Sequence, residues 1–194
     1  MFIVHCNDTP ETFSFLVVNR KECVIQSVDQ DSVTITEWVY PVIWSDDECE
    51  EVSIKCDDVI RHLLRDNNFF KVSKEFIYFH GYTYRYTDGD VLCFETRLPK
   101  LVAIVTPHVN RLIIEEDQVT LYITDTLDMH GSNGSIVHTA LVHRLEEFSD
   151  GVTIDPRFIP ESFSKPRKMY MEKDFPICIE TCDPLKRVYI APCL

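Results

Sequence analysis

The sequence contains little glycine, no long apolar run and no excess of positive charge. Only five of the 194 residues are glycine, and no glycine-rich phosphate-binding motif is present. No apolar run approaches the roughly 18 residues that a membrane-spanning helix requires. A net charge of −13 disfavours nonspecific binding to phosphate backbones and anionic membranes. These absences argue against a membrane partner and make nucleic acid a disfavoured one.

Short motifs of the common catalytic sites are also missing. The chain has no G-x-S-x-G elbow, no H-E-x-x-H zinc motif and no EF-hand loop. Eight cysteines and seven histidines allow many Cys–His pairs, so no single pair is specific. We therefore predict no catalytic residue and no cofactor, and the balance is against an enzyme.

The first residues and the cysteines together indicate the cell compartment. Residues 1–8 carry no basic segment of the kind that opens a signal peptide, and they read as a first strand. We expect an intracellular protein, cytoplasmic or nuclear, that is not secreted. Its cysteines are then expected to be reduced and packed as small apolar side chains.

Two groups of metal-ligating residue types fail as metal sites. Cys178, Cys182 and Cys193 lack a second closely spaced pair and a following histidine, so we predict no zinc there. Asn133-Gly134 predicts a two-residue hairpin loop that would pair Met129 with His138 and His130 with Val137. His130, His138 and His143 would then not share one face. The sequence thus predicts no metal ligands.

Recurring short segments of alternating character predict a mainly β fold, an antiparallel β-barrel or β-sandwich. The clearest is a stripe in which every second residue carries a ring, predicted as one strand face. Thr87-Asp88-Gly89-Asp90 then predicts a turn, with a return strand over 91–97. The ring-bearing residues are Phe76, Tyr78, His80, Tyr82, Tyr84 and Tyr86.

One segment, residues 57–66, follows the helical period instead. Its apolar residues Val59, Ile60, Leu63 and Leu64 have helical spacing. Asp57 and Asp58 stand at its start, where a carboxylate caps free amides. We predict one short helix packed on the sheet.

After Asp155 the composition of the sequence changes, because six of the ten prolines fall there. Proline removes backbone donors, so we expect sparse regular structure in this segment. It nevertheless carries many large apolar residues. The predicted division is a β-rich core domain of residues 1–154 and an extended arm of residues 155–194, docked on the core or on a partner.

Negative charge is concentrated near the N-terminus. Residues 1–60 hold thirteen Asp or Glu and three Lys or Arg, a net charge of −10. Their densest run is either a solvated loop or a docking site for a basic partner. Together with apolar residues of the arm, this run supplies the candidate partner-binding residues: Asp46, Asp47, Glu48, Glu50, Glu51, Phe175, Ile177, Ile179 and Tyr189.

The functional prediction is a non-enzymatic, acidic subunit or adaptor of an intracellular multi-protein complex. Its partners would be other proteins, including ones with a basic surface, and the sequence leaves self-association open. One alternative is an acidic inhibitor that mimics nucleic acid. Another is an enzyme with a Cys/His or carboxylate site that the sequence does not localise.

Chelation tests the metal prediction. Because no complete ligand set is visible, EDTA at neutral pH should leave the melting temperature unchanged. Stoichiometric zinc in the purified protein, lost together with folded structure in Cys182→Ser, would contradict it.

Overall fold

The computed structural model describes residues 1–29, 34–46, 50–86, 98–105, 116–159, 167–182 and 185–193. The chain's internal contacts group it into two compact units. The first contains residues 1–28, 36–95 and 184–186, and the second contains residues 29–35, 96–183 and 187–194. The predicted division into a core of residues 1–154 and an arm of residues 155–194 stays a prediction, which limited proteolysis would test.

Strands β1 to β8 and the α-helix come first along the chain. Strand β1 lies between β4 and β6, and β7 and β8 extend the sheet on the β6 side; β2 pairs with β3 and β5. The bounds are β1 Phe2–His5, β2 Phe15–Val18, β3 Glu22–Asp29, β4 Thr34–Ser45, β5 Val52–Lys55, α1 Asp58–Asp66, β6 Phe69–Val72, β7 Phe76–Phe79 and β8 Tyr82–Arg85.

The remaining strands follow the order β13-β10-β11-β12-β9-β14-β15-β16 across their sheet. Their bounds are β9 Leu101–Val105, β10 Val119–Ile123, β11 Thr126–Gly131, β12 Ile136–Arg144, β13 Phe148–Ile154, β14 Arg167–Tyr170, β15 Ile177–Cys182 and β16 Leu185–Ile190. A short 3₁₀-helix covers Pro156–Phe158. The strand pairs whose register is defined among the described residues are antiparallel, as the sequence predicts.

The predicted fold class is confirmed as mainly antiparallel β with one packed helix, and the described strands do not close into a barrel. Helix α1 begins one residue after the predicted start, because Asp57 acts as its N-cap and accepts a 2.8 Å hydrogen bond from the amide of Ile60. Ile60 and Leu64 face the core. In the described part of the chain, no helix is long and apolar enough to cross a membrane.

The ring stripe is where the strand prediction was wrong. Phe76–Tyr86 is not one strand, because the chain reverses at His80-Gly81 and pairs Phe79 with Tyr82. Gly81 has φ +81, which lets the chain turn there without steric cost. Tyr82 and Tyr84 therefore return on the face of Ile77 and Phe79, opposite Phe76 and Tyr78. The predicted turn at 87–90 and the strand at 91–97 lie outside the described residues.

The C-terminal segment is more regular than its prolines suggest. Strands β14, β15 and β16 lie within it, and β14 pairs with both β9 and β15. The prolines fall between these strands: Pro176 directly precedes β15, and Pro192 follows the end of β16. Proline at a strand start costs no ladder hydrogen bond, so the expectation of sparse structure was wrong here.

Hairpin Asn133-Gly134 forms between β11 and β12, with Gly134 at φ +79. Met129 pairs with His138 as predicted. His130 pairs with Ile136 instead of Val137, because the register shifts between Met129 and His130. Among the described residues, no group of three histidine, cysteine or acidic side chains is placed to hold a metal ion.

The β7–β8 turn can be tested at Gly81. A Cβ at Gly81 would meet no atom within 4 Å, so only the positive φ opposes a side chain. Gly81→Ala should lower the free energy of unfolding by about 1 kcal/mol. Gly81→Asn should cost less, because asparagine tolerates this conformation. Equal costs in urea denaturation would contradict a left-handed turn residue.

Candidate functional site

The most distinctive surface of the first unit is the outer face of the sheet around β1. Ile3 pairs with Trp44 on one side and with Lys71 on the other, and Lys71 pairs with Tyr78. Because directly paired residues share a face, these side chains form one row across four strands. The opposite face carries Phe2 and Val4, which are fully buried in the core.

A second row continues this apolar face. His5 pairs with Phe69, and their rings stack with centroids 4.2 Å apart. Phe69 remains 58% exposed and Trp44 47% exposed, although both are large apolar residues. Single exposed apolar residues are common, but adjacent ones on one face mark interaction surfaces. The two rows place such residues side by side.

These rows border an open groove of about 570 Å³, which we call the N-terminal groove. That volume lies in the range of sites that hold a small ligand or a short segment of another chain. Its lining is mostly aromatic and aliphatic: Met1, Ile3, Phe69, Phe70, Lys71, Tyr78, Phe79, His80 and Gly81.

Carboxylates of the acidic run lie at the Met1 end of this groove. Asp46 accepts a 2.6 Å hydrogen bond from the amino group of Met1. Glu50 accepts one of 2.9 Å from Lys74, and this contact lowers the pKa of Glu50 below its usual value. Glu51 is exposed nearby in sequence. The lowered pKa keeps Glu50 ionised at neutral pH.

The corresponding face in the second unit mixes polar and apolar side chains. The hydroxyls of Thr120 and Thr153 lie 2.9 Å apart across β10 and β13. Tyr122 contacts His130 edge-to-face, with ring centroids 5.0 Å apart. Ile136, which pairs with His130, is 58% exposed, and Leu141 is 85% exposed. Exposed apolar side chains therefore occur on both sheets.

Solved structures with a similar fold include a DNA polymerase sliding clamp from Pseudomonas aeruginosa and a beta clamp from H. pylori. The first matches with a TM-score of 0.61 and 10% identity, over 94% of this chain and 58% of the clamp. The second matches with 0.54 and 11%, over 95% of this chain and 60% of that clamp. The fold is similar to that of sliding clamps. This chain spans about three fifths of the length of these two proteins.

A PCNA2–PCNA3 complex from Sulfolobus tokodaii also matches, with a TM-score of 0.49 and 14% identity, over 94% of this chain and 91% of that one. No protein-family model and no curated protein matches the sequence. At these identities the likeness to clamps concerns the fold.

The structure separates the residues that the sequence proposed for partner binding. Asp46, Glu50 and Glu51 lie near the surface, whereas Asp47 and Glu48 lie outside the described residues. In the C-terminal segment, Phe175 is half-buried. The other three side chains of that set are packed inside this chain, and we derive no interface from them: Ile177, Ile179 and Tyr189.

The groove residues themselves escaped sequence reasoning. Ile3 and Phe69 come from distant segments, as does Trp44, which pairs with Ile3 beside the groove, and each is ordinary in its local pattern. Tyr78 belongs to the ring stripe, but the stripe was assigned to a single face. The available signal was the run Phe69-Phe70, in which alternation forces one of two large rings outward. Phe70 is buried and Phe69 is exposed.

A buried carboxylate in the second unit is the other group that we considered as a reactive side chain. Glu180, on β15, is only 4% exposed. Its oxygens accept hydrogen bonds from Lys168 at 2.9 Å, Tyr170 at 3.2 Å and Arg187 at 3.1 Å. Burial acts to raise the pKa of Glu180, but the hydrogen bonds from Lys168 and Arg187 outweigh it and lower the pKa. Glu180 is thus a satisfied structural anion.

Three buried thiols cluster in the core of the first unit: Cys6, Cys23 and Cys56. Burial raises the pKa of Cys23 and raises that of Cys56 to about 12. Cys6 belongs to the same core. Thiols held neutral in an apolar core are poor nucleophiles, since the thiolate is the reactive species. Together these properties support the packed role that the sequence predicts for them.

The Glu180 network sets a pH dependence. Since the folded-state pKa of Glu180 is lowered, its contribution is complete above the unfolded pKa of about 4.3 and is lost as pH falls through the folded value. Glu180→Gln should cost about 3 kcal/mol at pH 7 and flatten the loss of stability below about pH 5. Urea unfolding across this range, with the exposed Glu147→Gln as control, checks both. If stability falls with pH in Glu180→Gln as steeply as in wild type, the role given to the network is contradicted.

Proposed function

We propose that this chain is a non-enzymatic, protein-binding subunit of an intracellular multi-protein assembly, built on a sliding-clamp-like fold. The observation that carries the proposal is the N-terminal groove, where Ile3, Phe69 and Tyr78 present apolar surface beside one another. Burying a large apolar side chain contributes about 1.5–3 kcal/mol, which is enough for a few such residues to dominate an interface.

The fold likeness supports this proposal and extends it in one direction. The Pseudomonas aeruginosa neighbour is a DNA polymerase sliding clamp, so the assembly we propose is one that works with DNA. The net charge of −13 is a property of the whole chain and does not describe each local surface. The comparison with clamps therefore gives no support to excluding nucleic acid.

Two alternatives from the sequence, an acidic inhibitor and an enzyme, do not use the groove. An inhibitor that mimics nucleic acid would bind through charge, and its complex would weaken steeply with salt. A partner held mainly by apolar contacts would persist in high salt. The salt response of the native complex thus separates the inhibitor from the proposed subunit.

The test is co-purification of the tagged full chain from its own cells. The double variant Phe69→Ala/Tyr78→Ala removes the exposed ring of Phe69 and the half-buried ring of Tyr78 from the groove, and its melting temperature verifies that it is folded. We expect it to lose a specific co-purifying protein at least tenfold, because central aromatic residues dominate interfaces. The matched control Leu141→Ala removes an exposed apolar side chain from the second unit and should retain that protein.

Equal recovery of every co-purifying protein by the double variant and by wild type would contradict the proposed role of the groove. Native mass measurement of the wild-type complex would establish its composition and the number of copies of this chain. A wild-type chain that is only ever recovered alone would contradict the proposed subunit function itself.

A further inference from the structure

We propose that the N-terminal groove binds an extended protein segment in which a large apolar or aromatic residue is flanked by lysine or arginine. This inference rests on the proposed function and adds the chemistry of the bound segment. The apolar residue would pack on the rows formed by Ile3, Tyr78 and the His5–Phe69 ring stack. The basic residues would lie at the Met1 end, near Asp46.

Among the described residues of the acidic run there are three carboxylates, Asp46, Glu50 and Glu51, against the two cations that contact Asp46 and Glu50. From Asp46 to Glu51 the sequence holds five acidic residues and no basic one. In the structure, the Met1 amino group contacts Asp46, and Lys74 contacts Glu50. Both carboxylates remain about half or more exposed to solvent, with side-chain exposures of 43% for Asp46 and 79% for Glu50. Added cations from a bound segment would therefore meet accessible negative charge.

Lys71 is the cation within the groove, and its position is compatible with an apolar ligand. It stands between Ile3 and Tyr78 in the first row. A lysine places its aliphatic stem along apolar surface while its ammonium group stays in water. Its stem therefore continues the apolar row between two strands.

The same charge distribution disfavours other occupants. Residues 1–60 carry a net charge of −10, so a second copy of this chain would bring like charge against the groove. Single-stranded nucleic acid would stack on the rings but would bring phosphates to the Asp46 end. An anionic lipid surface meets the same repulsion. A basic protein segment is the occupant that both the rings and the carboxylates favour.

The test uses peptides as probes and the full-length chain as the target. Random 12-residue peptides displayed on phage are selected on wild type and counter-selected on Phe69→Ala/Tyr78→Ala. We expect groove-dependent sequences with a large apolar residue flanked by Lys or Arg. The strongest is synthesised with a copy in which Lys and Arg are replaced by Gln, and the copy should bind about tenfold more weakly at low salt.

Protein variants locate the charge effect. Asp46→Asn/Glu50→Gln/Glu51→Gln removes three carboxylates at the Met1 end and should weaken the basic peptide several-fold and flatten its salt dependence. The matched control Asp125→Asn/Glu146→Gln/Glu147→Gln changes the net charge by the same amount in the second unit. It should leave peptide affinity and salt slope unchanged. Melting temperatures verify that each variant is folded.

Each other outcome overturns the inference in a distinguishable way. Groove-dependent peptides without basic residues, or equal affinity of the Gln copy, would refute the charge preference and leave the proposed subunit function standing. Absence of any groove-dependent peptide would refute peptide binding here. A wild-type dimer that Phe69→Ala/Tyr78→Ala dissociates would assign the groove to a second copy, and oligonucleotide binding lost in that variant would assign it to nucleic acid.

Discussion

The features of the first unit described above depend on the pairing of one four-residue strand with two neighbours. Strand β1 is hydrogen-bonded to β4 on one side and to β6 on the other. Its alternate side chains therefore point to the two opposite faces of the sheet. Phe2 and Val4 enter the core, while Ile3 and His5 remain outside. The groove exists because these outward residues meet Trp44, Lys71 and Phe69 from strands that lie more than 35 residues away in sequence.

Local features of the fold could be predicted from the sequence because their causes are local. Helix α1 follows from apolar residues at helical spacing and from the cap that Asp57 supplies. The Asn133-Gly134 hairpin follows from the conformational preference of those two residues. The turn at His80-Gly81 was missed because the rings on either side keep a period of two through it. Alternation in sequence continues across a tight hairpin, even though the chain direction reverses.

The candidate site could not be predicted, because it is defined by register between distant strands. No pattern within β1 states that Ile3 will lie opposite Trp44 and Lys71. The apolar residues of the C-terminal segment posed the opposite problem, since burial against the same chain and burial against a partner require the same residue types. Strand pairing through β14 and β15 places Ile177 and Ile179 in the chain's own core. Tertiary contacts decide such cases, and sequence composition does not record them.

The Glu180 network also bears on how reliably the chain reaches one register while it folds. The carboxylate on β15 is held by Lys168 and Tyr170 from β14 and by Arg187 from β16. A slip of one residue between these strands would turn Glu180 to the opposite, apolar face that carries Met169 and leave its charge without donors. Burying an uncompensated carboxylate is far more costly than misplacing an apolar side chain. The network therefore discriminates against misaligned strand pairs during folding of the proline-rich segment.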